Sequence, residues 1–286
     1  MNTTATTTAL LKLGGEVVAE ESALRAVLAD VRALCEAGWR FVLCHGGGPQ
    51  AGALQERLGV PTVKVGGRRV TDPPTLQIMK QVLAGEVSVD LVAAAVAAGL
   101  PAVGLSGVSC GLVTAHRRPP ARVSGGGDAP VDFGFVGDID EIRPAVLLHL
   151  WAGGYVPVLN SLGLDGSTDP QRATRQVYNI NADTVASAVA AALRVDHLFL
   201  VTGIGGVMRD KDDPTTRIPV LHASEARQAI ADGTVVGGMI PKIEEALDNL
   251  RHGIGAVHII GPRAGCLEQA ARRPGTQGTA LLPDDA

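Results

Sequence analysis

Two lysines in this chain stand where a solvated side chain has little to gain. Lys12 lies near the end of the apolar run Ala9–Leu13, directly before Gly14-Gly15, and Lys242 follows Gly237-Gly238 at the start of an amphipathic stretch that ends at Arg251. A lysine in a first helical turn opposes the positive end of the helix dipole, so position 242 points to charge handling rather than stability. Glycines gather at the ends of other apolar runs: Gly46-Gly47-Gly48, Gly104 with Gly107, and Thr202-Gly203-Ile204-Gly205-Gly206. Without a Cβ, such loops let backbone N–H groups approach an anion closely. Lysines beside exposed amides suit a site that manages phosphate or carboxylate charge. Asn179-Ile180-Asn181-Ala182-Asp183 leads into an Ala-rich helix, where Asn181 or Asp183 can act as the cap. Arg69, in the segment Gly66–Asp72, suits a bidentate grip on a carboxylate.

The familiar phosphate loops are missing. No GxxxxGK[ST] occurs, and GGMIPK (Gly237–Lys242) lacks both the earlier glycine and the following Ser or Thr. The dinucleotide fingerprint fails because Met208 stands where its third glycine belongs. Gly107-Val108-Ser109-Cys110-Gly111 matches GxSxG, but a nucleophile elbow needs a helix next, and a β-branched, proline-broken segment follows instead. The four cysteines form no CxxC pair and the seven histidines no HExxH. Free thiols in a reducing compartment and no transition-metal site built by the protein are expected.

The elements that must hold these residues alternate along the chain. Strands are expected over Ala9–Leu13, Arg40–Cys44, Ala102–Leu105, Tyr155–Asn160, Asp196–Thr202, Ala256–Ile260 and Thr279–Leu282. Helices are expected over Glu21–Ala37, with Ser22 and Asp30 on polar faces, then from the glycines through Leu58, and over Pro73–Ala98 and Glu141–Ala152. Four more are Ala182–Leu193, Ser224–Ala231, Met239–Arg251 and Gly265–Arg272. Thr62–Val70 reads as a hairpin turning at Gly66-Gly67, residues 111–138 as antiparallel hairpins at the rim, and the stretch up to Tyr178 as a loop. Unpunctuated apolar strands alternating with helices give an α/β sandwich with a mainly parallel sheet covered on both faces. With 46% hydrophobic but only 3% aromatic residues, its core is aliphatic. The 286 residues read as one unit with two lobes meeting near residue 178.

A net charge of −4 leaves no basic face for nucleic acid, and His116-Arg117-Arg118 with Arg122 reads as a solvated loop rim. The N-terminus lacks a signal-peptide pattern, and the longest apolar stretch, Val89–Leu105, is interrupted by Asp90, Gly99 and Pro101. A soluble cytoplasmic protein without membrane contact is expected.

KLGG, HGGGPQ, GRRVTD, FVGDI, NINAD and GGMIPK, in this order, resemble the amino-acid kinase family, from about residue 10 to 283. Within it they are most similar to members that phosphorylate the γ-carboxylate of N-acetyl-L-glutamate in arginine biosynthesis. The resemblance implies an open αβα sandwich, with an acidic amino-acid lobe at about 9–178 and an ATP lobe at about 179–286. It implies Mg²⁺ carried by the nucleotide and a small-molecule acceptor. Lys12 and Lys242 would neutralise the transferring phosphoryl, Asp183 would orient both, and the amides of Gly15 and Gly47 would donate to it. Gly47, Gly48, Arg69 and Asn179 would hold the acetylated amino acid. Lys12, Gly14, the segment Gly203, Ile204, Gly205, Gly206, Val207 and Met208, together with Thr234, Val235, Val236 and Lys242, would meet the nucleotide.

Three departures qualify this. TGIGG replaces the usual TDVPG, LSGVSCG replaces LSGKDG, and about eight residues precede the first strand, too few for the extra helix of arginine-inhibited members. Weak arginine feedback and a homodimer are expected. Two alternatives remain: a related kinase of another acidic substrate, such as aminoadipate or glutamate on an acidic carrier protein, and a non-catalytic ligand-binding regulator.

Overall fold

The computed structural model describes residues 6–123, 127, 129–167, 176–203, 205–210, 213–235 and 240–284. Its strands, in chain order, are β1 (Thr8–Leu13), β2 (Arg40–His45), β3 (Lys64–Val65), β4 (Arg68–Arg69), β5 (Ala102–Ser106), β6 (Val113–Arg117) and β7 (Gly137–Ile142), then β8 (Val156–Asn160), β9 (Leu162–Asp165), β10 (Val177–Asn179), β11 (His197–Val201), β12 (Val220–His222), β13 (Ala256–Ile260) and β14 (Thr279–Leu282). The helices are α1 (Gly15–Ala19), α2 (Glu21–Glu36), α3 (Gly48–Arg57), α4 (Pro73–Gln81), α5 (Ser88–Ala97), α6 (Ala145–Ala152), α7 (Ala182–Leu193), α8 (Ala223–Ala231), α9 (Ile240–Arg251) and α10 (Cys266–Arg272).

Eight strands form the central sheet in the order β12-β14-β13-β11-β1-β2-β8-β5. Every neighbouring pair is parallel except β13 with β14. The two-residue period of a strand assigns alternate side chains to opposite layers. On β1, Ala9, Leu11 and Leu13 pack with α2 and α10, while Leu10 packs with α7. Val42 and Cys44 share the α7 side, Phe41 and Leu43 the other. This is the expected αβα sandwich.

β1 sits between β2 and β11, so the order of connection reverses around it. In open α/β sheets a crevice opens beyond the carboxyl ends of strands at such a point. The loops after β1, β2 and β11 therefore converge.

A second sheet, β10-β9-β6-β7, caps one end. It corrects two expectations. Glu141 and Ile142 belong to β7, not to a helix, because they pair with Thr114 and Val113 of β6; the helix starts only at Ala145, after Pro144. The stretch before Tyr178 is not simply a loop, since β9 and β10 pair in it, although residues 168–175 lie outside the described residues. The Pro73–Ala98 helix is continuous but widened over Val82–Val87, around Gly85. The hairpin at Gly66-Gly67 is present, with φ of 55° and 76°, left-handed values that glycine adopts without strain.

Asp30 is the third correction. It is 6% exposed rather than on a polar face, and its carboxylate accepts N–H groups of Gly265, Leu267 and Glu268. It caps the start of α10 from another helix, which an amphipathic pattern cannot reveal. Of the four free cysteines, Cys44 and Cys266 are buried, Cys35 half-buried and Cys110 exposed.

On the α2 side, Trp39, His197, His258 and Phe199 stack across the sheet, and His197 Nδ1 lies 3.0 Å from His258 Nε2. Burial, then the neighbouring imidazole, pulls the His258 pKa down to about 3. A histidine held neutral in the fold but protonated when unfolded stabilises fully above its unfolded pKa of about 6.5, and loses that stability as pH falls below it. The chain should therefore lose about 2 kcal/mol through His258 between pH 7.5 and 5. Urea unfolding at both values should show a smaller loss for His258→Gln, and an equal loss would refute the assignment.

Candidate active site

Lys12 follows from strand geometry. It is two residues on from Leu10, hence on the α7 side, and its neighbours in register are Cys44 and Leu200. The first turn of α7 is set by Asn181, whose side chain accepts the Asp183 N–H at 3.0 Å. That cap aims Asp183 at the strand end. Lys12 Nζ and Asp183 Oδ1 are 2.7 Å apart, and the lysine side chain is only 14% exposed, so solvent screens this pair less than a surface one. Cys44 beside them is pushed up to about 12, chiefly by burial, and stays a neutral thiol.

Lys12, Asp183 and Lys242 line one cavity of about 420 Å³, with Glu16, Thr202, Gly203 and Glu245. The ion pair and the second lysine, far apart in sequence, are thus brought together. Ile204 and Gly237–Met239 lie outside the described residues.

A second cavity, of about 350 Å³, is lined by Gly46, Gly47, Gly48, Arg69 and Asn179. Arg69 is half-buried and fixed: it donates to the Gly48 carbonyl at 2.9 Å and to Gln55 Oε1, and burial draws its guanidinium below the usual arginine range. Asn179 Nδ2 donates to Thr71 Oγ1 at 3.1 Å. Lys64, Arg68, Arg118 and Ser161 also reach this cavity and were missed. Arg118 was hidden inside the basic run taken for a rim; Lys64 and Arg68 are other positions of the same hairpin. Asn181, Ala182 and Thr184 line this cavity while Asp183 lines the other, so the two adjoin across the first turn of α7.

The glycines fit their surroundings differently. A Cβ on Gly15 would lie 2.7 Å from Pro49 Cδ, and one on Gly47 2.9 Å from Leu83 Cδ2. One on Gly48 would meet nothing. Gln50 Nε2 donates to the Gly15 carbonyl at 2.9 Å, locking the two glycine loops together. Amides at the start of α1 and α3 have no intrahelical acceptor, so they remain available to an anion.

Other proposed nucleotide contacts do not join the lysine cavity. Among the described residues of Gly203–Met208, Gly203 alone lines it; Val207 and Met208 are buried, the Val207 amide donating to Thr279 Oγ1 at 2.8 Å. Gly205 packs near Gly261, and a Cβ on Gly206 would press on Thr279 and Arg217. Thr234 borders a separate cavity and its amide donates to Asp232; Val235 is core, and Val236 lies outside the described residues. Gly14 caps α1, its carbonyl accepting from Val17 and Val18. Ser109 of the GxSxG segment merely accepts the Ser106 N–H, and the chain turns into β6 without a helix.

A family model described as the amino acid kinase family matches residues 7–261. The chain is 49% identical over 282 residues to an acetylglutamate kinase of Sorangium cellulosum, covering 98% of this chain and 96% of that one. It is 48% identical to an acetylglutamate kinase of Anaeromyxobacter dehalogenans, covering 97% and 99%. Among solved structures, it superposes with a TM-score of 0.77 and 25% identity on an N-acetylglutamate synthase of Neisseria gonorrhoeae complexed with coenzyme A and N-acetyl-glutamate, covering 98% of this chain and 60% of that one. A match over most of the sequence, and near-half identity to full-length relatives, place this chain in the amino acid kinase family.

Proposed function

We propose that this chain transfers the γ-phosphoryl of ATP to the γ-carboxylate of N-acetyl-L-glutamate, forming an acyl phosphate in arginine biosynthesis. One observation carries the reading: a cavity with two lysines adjoins a cavity with a fixed arginine across a single helical turn. Full-length relatives named acetylglutamate kinase support the same substrate.

The chemistry follows from charge. A γ-carboxylate with a pKa of about 4.3 is ionised at neutral pH, so no general base is required. The barrier is the approach of one anion to another, worth roughly 4 kcal/mol for two unit charges about 4 Å apart at an effective dielectric of ~20. Lys12 and Lys242 neutralise the phosphoryl in flight, and Asp183 orients them. Gly15 and Gly47 donate amide hydrogen bonds to its oxygens. Arg69, Asn179 and Gly48 hold the acceptor. The nucleotide enters past Gly203 and Gly14; residues about 9–178 form mainly the acceptor lobe and about 179–286 mainly the nucleotide lobe. Mg²⁺ would be carried by the nucleotide; Glu16 and Asp183, carboxylates lining this cavity, are hard donors that would hold it, and it would supply charge neutralisation.

The free amino acid is favoured over an acidic carrier protein. Arg117 lies 2.8 Å from Asp132, Arg118 2.7 Å from Asp138 and His116 2.6 Å from Asp140, so carboxylates already offset that cluster. A ligand-binding regulator would not need an ion pair and a second lysine gathered in one cavity. No helix among the described residues is long and apolar enough to cross a membrane, and a cytoplasmic location is proposed.

The protein is further proposed to be a homodimer through β5 and α5. β5 is an edge strand, and beside it Val89 and Val96 are 62% and 54% exposed around an apolar depression of about 710 Å³. Sedimentation at micromolar concentration should give a dimer that Val96→Glu weakens; a monomeric wild type would discard the interface.

The central test is an ATP-dependent hydroxamate assay, which traps acyl phosphate, run over acidic amino acids. N-acetyl-L-glutamate should give the largest signal; preference for carrier-linked glutamate or aminoadipate would redirect the substrate. In the same assay, Lys242→Ala should lower kcat by about 10²–10³ with much less change in KM. A rise in KM alone would make Lys242 a binding residue.

A further inference from the structure

The lysine cavity holds a carboxylate to which the mechanism above gives no part. Glu245 lies on α9, three residues and so about one turn beyond Lys242, and lines the same wall. Ser187 Oγ donates to Glu245 Oε1 at 3.3 Å, and Asn249 Nδ2 donates to Ser187 Oγ at 3.0 Å. Asn249 is 3% exposed. Positions 242, 245 and 249 share one face of α9, and 183 and 187 one face of α7. A polar seam thus runs between the two helices, from the Lys12–Asp183 pair to the buried Asn249. Burying such groups costs free energy unless each is satisfied, and an apolar residue at 245 would fill the seam more cheaply. Burial raises the Glu245 pKa and the charge of Asp183 adds to this, while Ser187 and the Lys12 ammonium pull it back. Glu245 thus shares one cavity with both members of the ion pair.

We propose that Glu245, braced by Ser187 and Asn249, is a positioning residue for Lys12, a second counter-charge that holds the ammonium over the cavity while Asp183 holds it from the α7 side. Asp183 alone would tether Lys12 by one contact at one edge. A second carboxylate in the same cavity narrows the angles the ammonium can adopt and keeps it central. When a phosphate enters, Lys12 can turn toward it without leaving a countercharge. Glu245 touches no reacting atom; it acts through the lysine.

The test has two arms. Lysine labelling of the whole protein by an acetylating ester, read by mass spectrometry, needs no turnover. Glu245→Gln keeps the shape but removes the second counter-charge, so the Lys12 side chain is held less closely and meets the reagent more often. Lys12 should acetylate about three to ten times faster, while the exposed Lys80 keeps its wild-type rate. Ser187→Ala, which leaves the charge but loosens the brace, should give a smaller rise. In the hydroxamate assay, which rests on the kinase reading, Glu245→Gln should lower kcat about tenfold with KM for ATP within about twofold. An unchanged Lys12 labelling rate in Glu245→Gln overturns the proposal, as does an unchanged kcat. A wild type that labels as expected yet makes no acyl phosphate sinks the kinase reading and leaves the Glu245–Lys12 coupling standing.

Discussion

The ion pair between Lys12 and Asp183 ties the middle strand of the sheet to the first turn of α7, and the site is arranged around it. A lysine this close to the core needs a counter-charge, and the first turn of a helix packed on the same face supplies one. Asn181 fixes that start by capping it. The apolar partners of the sheet, Leu10 and Leu200 on one side and Leu11 and Leu13 on the other, fix the rotation of β1, so Lys12 can face only α7. Core packing, usually a matter of stability, here sets the direction of a charge.

The same pair also sets the balance of the cavity. Two ammonium groups and the carboxylates of Glu16, Asp183 and Glu245 share about 420 Å³. Three carboxylates against two ammonium groups leave no excess positive charge there, and Lys12 is already fixed by Asp183 before a phosphate arrives. Preorganised charge of this kind lowers a barrier without reorganisation when the reaction occurs. The neutral Cys44 thiol beside Lys12 does not compete for the ammonium. On the acceptor side, Arg69 is held by Gly48 and Gln55, so its free edge is aimed before any ligand arrives.

Much of this could be read from residue types. Lys12 and Lys242 stood out because each sits badly, or wastefully, for a purely structural residue, whereas Asp183 was one of two cap candidates and Arg69 a candidate grip on a carboxylate. The parallel sheet and the strand-end glycines followed from alternation of apolar runs. What could not be read depends on partners remote in sequence. Asp30 looks like a surface residue until α10 is seen to begin beside it. Glu141 favours helix locally but is captured by pairing with Thr114. Glu245 was missed although its spacing from Lys242 placed it on the same face, because a Glu in an amphipathic helix resembles any solvated position. Arg118 was read with its neighbours as rim, yet one more strand residue turns it inward to the acceptor cavity.

The glycine loops show why identical letters need separate arguments. At Gly15 a Cβ would strike Pro49 at the start of α3, and at Gly47 it would strike Leu83 of the widened helix, so the first glycine lets two loops meet and the second lets its loop press on that helix. At Gly48 nothing would be struck; the missing side chain keeps acceptor space open and leaves its carbonyl free for Arg69. Close packing and open space are opposite requirements, and the first two serve the third. Gly15 brings the starts of α1 and α3 together and Gly47 seats the second on the Val82–Val87 segment, so helix-start amides gather beside the cavity lined by Gly47 and Gly48. A bulkier residue at either position would separate those amides before it touched a ligand.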